Sequence, residues 1–72
     1  MRRHPATVLR ECADLVPGTP AGNRLRGLID ISTQGMLTRS DLCDLLVSSS
    51  VLFCYCADGR AALALAAEEI AR

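Results

Sequence analysis

Between residues 30 and 41 the chain reads Asp30-Ile31-Ser32-Thr33-Gln34-Gly35-Met36-Leu37-Thr38-Arg39-Ser40-Asp41. Oxygen-bearing side chains recur at Asp30, Ser32 and Gln34, and again at Thr38 and Asp41, around a single glycine. Such donors suit a hard cation, which takes oxygen ligands. Gly35 marks a backbone position that needs positive φ, as a sharp turn or a helix stop does. Elsewhere, residues that could do chemistry are sparse. His4 has no nucleophile near it in sequence and reads as a solvated helix start. The four cysteines, Cys12, Cys43, Cys54 and Cys56, make no C-x-x-C pair, and the C-x-C at 54 and 56 puts its side chains on different faces of a helix. They read as free thiols acting as small buried hydrophobes in a reducing cytoplasm. With no catalytic constellation and no cofactor motif, the chain reads as a non-enzyme.

Four helices are expected to carry these residues. Pro5, behind His4, suits a first helical position, and Val8, Leu9, Cys12, Leu15 and Val16 make an apolar stripe, predicting a helix over 5–16. Pro17-Gly18-Thr19-Pro20 ends it, and Thr19-Pro20 opens a second helix over about 20–31 or slightly further. Gly22 and Gly27 weaken that helix, Gly27 being the expected point of close approach by a neighbour, while Arg24 and Arg26 point to solvent. The third helix begins near Thr38 to Ser40 and extends to Cys56, with Leu42, Leu45, Leu46, Ser49, Phe53 and Cys56 on one face and Ser48-Ser49-Ser50 as a possible break. The fourth covers 59–71 with Asp58 as its cap, and Leu63, Ala66, Ala67 and Ile70 face inward. Asp58-Gly59 also permits a hairpin between 51–56 and 61–65, which the density of strong helix formers after it disfavours.

Taking Asp30 as the first residue of a twelve-residue loop puts Ser32, Gln34, Met36, Thr38 and Asp41 at the third, fifth, seventh, ninth and twelfth positions. Gly35 then falls at the sixth, and Leu37 where such a loop turns an apolar residue into the core. Residues 22–50 therefore resemble a degenerate EF-hand helix–loop–helix. The resemblance implies calcium held by Asp30, Ser32, Gln34, the Met36 carbonyl, Thr38 and Asp41. Only Asp30 and Asp41 are charged, and the twelfth position has Asp where the family has the longer Glu. The residues alone also allow a purely structural reading: Gly35 turns the chain, Leu37 plugs the core, and Thr38 to Asp41 cap the next helix. More weakly, Gly35 to Leu46 is similar to the run that leads into the DNA-reading helix pair of winged helix-turn-helix domains. That resemblance implies DNA binding by the segment that follows, which is nearly all apolar and a poor surface for the major groove.

Seventy-two residues make a single small domain. Half are hydrophobic, yet Phe53 and Tyr55 are the only aromatics, so the core must be built of Leu, Ile, Val, Ala and Cys. A chain of this size buries about 60% of its extended surface, and self-association is a natural way to enlarge a thin core. The charge is balanced at zero, where nucleic-acid binders show a basic excess. All eight basic residues are Arg, which with the many Ala and Leu points to a GC-rich coding source such as an actinobacterium or one of its phages. The longest apolar run, Val51 to Ala57, falls far short of the ~20 residues of a membrane span, and no targeting segment is evident. The expected architecture is an all-α, compact four-helix bundle, in which helices one, two and four surround the third.

A second apolar stripe on the third helix, Cys43, Val47, Val51, Cys54 and Tyr55, means that this helix is either buried on all sides or meets another molecule. Partner contact is expected at Val47, Val51, Cys54 and Tyr55, with Leu65 from the fourth helix. The expected role is a protein–protein interaction or regulatory module that self-associates as a homodimer. DNA binding and weak calcium binding are the alternatives.

Overall fold

The computed structural model describes residues 3–53 and 55–72. Four helices follow one another: α1 Pro5–Leu15, α2 Pro20–Thr33, α3 Arg39–Leu52 and α4 Ala57–Ala71. No strand occurs among the described residues, so 51–65 forms a helix pair and not a hairpin. The radius of gyration, 10.7 Å, is close to the ~11 Å expected of a packed chain this long.

Local chemistry sets the helix starts. His4 Nδ1 accepts the Ala6 N–H at 3.1 Å ahead of Pro5. Thr19 Oγ1 accepts the Gly22 N–H at 3.0 Å and donates to the Val16 carbonyl at 2.7 Å, so one hydroxyl ties the start of α2 to the end of α1. Thr38 and Asp41 form a reciprocal capping box on α3, with both hydrogen bonds at 3.1 Å. Gly18 and Gly35 both take φ +71°, each just past a helix end.

The core is aliphatic throughout. α1 contributes Val8, Leu9, Cys12 and Ala13; α2 Ala21, Leu25 and Leu28; α3 Leu42 and Leu46; α4 Ala62, Leu63, Ala66, Ala67 and Ile70. The central element is α4, not the third helix as expected. It packs against all three others, most extensively against α3, while α1 and α3 barely touch. The small residues of α4 explain this position. A Cβ placed on Gly59 would lie 2.8 Å from Ala21 Cβ, so α2 and α4 run almost backbone to backbone there. Gly22 is equally constrained: its missing Cβ would lie 2.2 Å from the Val16 carbonyl oxygen. Gly27, the expected close-approach point, has nothing within 4 Å.

Two helix termini differ from expectation, while α2 runs on to Thr33, slightly beyond residue 31 as expected. α3 stops at Leu52, short of Cys56, and passes through the three serines unbroken, with Ser50 Oγ donating to the Val47 carbonyl at 2.7 Å. The chain must reverse at Phe53 to lay α4 back along α3, and a tight turn closed by Cys56 N–H to Phe53 carbonyl at 3.0 Å does so. α4 therefore starts at Ala57 with Cys56 before it, and Asp58 lies in the first turn as a carboxylate at the positive helix end instead of as the cap.

Candidate functional site

The 30–41 segment divides between a helix and a turn. Asp30 and Ser32 lie within the last turns of α2. Two residues apart on a helix means about 200° of rotation, and accordingly Asp30 is exposed while Ser32 is buried. Ser32 Oγ donates back to the Ile29 carbonyl at 2.9 Å. Gln34 caps the end of α2, and Met36 is exposed. Thr38 and Asp41 spend their side chains on each other's backbone N–H groups. Leu37 packs against the core. The helix thus separates Asp30 from Ser32 and the capping box engages Thr38 with Asp41, so the six positions do not converge as one ligand shell. Among the described residues, no group of three His, Cys, Asp or Glu side chains is placed to hold a metal ion.

Two apolar surfaces stand out instead. The first is the outer side of the C-terminal half of α3. Leu42, Leu46 and Ser49 face the core, so Val51 lies opposite them, with Val47 beside it. Val51 is 67% exposed, and Val47 and Leu52 are also open. Tyr55, in the turn that follows, is 74% exposed, its ring 6.1 Å from that of Phe53, which packs against the core, at a tilt of 59°. This helix is therefore not covered on all sides. Cys54, expected in the same patch, lies outside the described residues. Leu52 was not foreseen; the expectation of a helix continuing to Cys56 hid it as one more flank position.

The second surface is a groove between α1 and α4, on the other side of α4 from α3. It consists of two cavities of about 230 and 170 Å³ that meet at Leu15 and Leu65. Leu65, expected beside Val47 and Val51, is here instead. Leu15, placed in the α1 core stripe by spacing, is 63% exposed because it sits at the edge of that stripe next to Val8, about 90° from its centre. The sequence signal for the groove was the width of the stripe, which exceeds what one neighbouring helix covers.

The charged residues mostly hold elements together. Arg39 is a clip: Nη1 donates to the Ile70 carbonyl at 3.1 Å, in the last turn of α4, and Nη2 to the Arg3 carbonyl at 2.6 Å. Arg24, expected in solvent, donates from Nε to the buried Ser49 Oγ at 3.1 Å and so links α2 to α3. Arg26 pairs with Asp14 at 3.5 Å between α2 and α1. Arg3 pairs with Glu11, and its hydrogen bond holds the Glu11 carboxyl below the usual carboxylate range. Burial pushes the Cys12 thiol up, with help from the Glu69 and Glu11 charges; burial and Asp44 push up Cys43. Both thiols are therefore held protonated, which is the unreactive form. Cys12, Cys43 and Cys56 are all free.

Among the described residues, no helix is long and apolar enough to cross a membrane. Comparison with protein-family models, curated proteins and solved structures finds no match to this chain.

Proposed function

We propose that this chain is a non-enzymatic protein-binding module that associates with itself through the outer face of α3. The observation that carries the reading is that Val47 and Val51 stand exposed on the outer face of α3, with Leu52 and Tyr55 also open at the end of that helix and in the turn after it, on a domain whose core is complete without them. Exposed apolar side chains gathered at one end of a helix mark a contact site, and a two-fold pairing of one helix face is the simplest way to cover them. An aromatic at its edge suits an interface, since aromatics are enriched there. The free thiols fit a reducing compartment such as the cytoplasm.

The DNA-binding reading draws less support from the same face. Its exposed neighbours on α3 are Ser40, Asp41, Asp44 and Ser48, and Arg39 is committed to backbone carbonyls. Phosphate contact needs cations where these carboxylates stand. Light scattering coupled to size exclusion tests the proposal. The native chain is expected as a dimer, and Val51→Ser combined with Tyr55→Ser as a folded monomer. A native chain that stays monomeric at millimolar concentration ends the reading.

A further inference from the structure

We propose that the groove between α1 and α4 is a second docking surface, and that it takes a cationic amphipathic helix from a different protein. Its floor is apolar: Val8, Cys12 and Leu15 from α1, Ala61, Ala62 and Leu65 from α4. Its rim is acidic. Asp58 stands at one end and Glu69 and Glu11 at the other, three carboxylates against the single guanidinium of Arg3, which Glu11 already engages. On a chain with zero net charge, this is a local concentration of one sign.

Shape and charge together specify the occupant. Along α4, Asp58, Ala62, Leu65 and Glu69 succeed one another at helical spacing, so the stripe reads acidic, apolar, apolar, acidic over about 16 Å. Three turns of helix match that length, with apolar anchors at i, i+4 and i+7 and cations on both flanks, as in helix-in-groove recognition. The outer face of α3 in a second copy does not answer this rim. It offers Val47, Ser48 and Val51 with Asp44 beside them, and no exposed cation. The two surfaces flank α4 on different sides, so one does not obstruct the other.

The probe is a fluorescein-labelled, capped peptide of about 14 residues, built on alanine with leucines at i, i+4 and i+7 and arginines on the flanks. A twin carries glutamates in place of the arginines. Polarisation is expected to rise with the arginine peptide and to show binding at least ~10-fold weaker for the twin. Leu65→Lys, at a side chain already 43% exposed, is expected to weaken binding by ~10-fold or more with the helical circular dichroism intact. Glu69→Lys is expected to weaken it several-fold, and Val51→Ser to leave it unchanged. Amide shifts on adding the peptide are expected along α1 and α4. The proposal is overturned by any of three results: equal binding of both peptides or none, shifts confined to α3, or a homo-oligomer that Leu65→Lys disperses and Val51→Ser does not. The last result would make a second copy the occupant of the groove. Self-association on α3 is read from Val51→Ser and Tyr55→Ser, and peptide binding from Leu65→Lys and Glu69→Lys, so failure of either proposal alone is distinguishable; only an oligomer that Leu65→Lys disperses and Val51→Ser does not would overturn both.

Discussion

Two glycines in α2, five residues apart, should respond to the same substitution with opposite signs. Gly27→Ala adds a methyl group to open space in an exposed helix position and is expected to stabilise the fold by up to ~1 kcal/mol. Gly22→Ala drives its Cβ against the Val16 carbonyl, a backbone atom already engaged by Thr19, and is expected to destabilise by more than that gain. Urea unfolding of the two variants checks both. The Cys12 and Cys43 thiols make a second prediction. The native state holds Cys12 and Cys43 protonated beyond the ordinary thiol value of 9.0, while the unfolded chain releases their protons there. Their contribution is therefore fully present below about pH 9 and is lost as pH rises through the raised native values. The urea midpoint is expected to fall as pH rises above about 9, and less steeply in Cys43→Ser.

At the scale of the element, the starts of α1, α2 and α3 were legible, while the end of α3 and the start of α4 were not. A cap is written in one or two residues, as in His4-Pro5, Thr19-Pro20 and Thr38 with Asp41, and each of these forms as its type dictates. An end depends on where the chain must turn back, which is a tertiary matter. Nothing between Leu52 and Cys56 forbids helix, so the reversal at Phe53 has no local signature. The 30–41 segment shows the same limit from the other side. A spacing that fits an ion-binding loop equally fits a helix terminus followed by a capping box, because Gly, Thr and Asp serve both. Thr38→Ala is expected to cost ~1 kcal/mol through loss of the box, and Thr38→Ser to recover most of it, by thermal unfolding. Arg39→Met removes both bonds of the clip while keeping the aliphatic stem. It is expected to raise amide exchange at Ile70 and Ala71 first, since the end of α4 loses its anchor.

For the molecule as a whole, the four-helix architecture followed from the apolar periodicity, but its arrangement did not. Periodicity states how many apolar side chains a helix presents, and α3 has more large ones than any other. Centrality went instead to α4, whose Gly59, Ala62 and Ala66 let neighbours come close. The pairing proposed for α3 has a thermodynamic signature. If pairing on α3 covers Val47, Val51 and Tyr55, the unfolding temperature rises with protein concentration, and the dependence vanishes in the Val51→Ser, Tyr55→Ser double variant.

The chain has no tryptophan, and its single tyrosine, Tyr55, projects from the α3–α4 turn into water. Its near-ultraviolet emission is consequently blind to the aliphatic interior. Whatever shields that ring on contact changes its emission, so the protein carries an optical label beside the face we assign to contact.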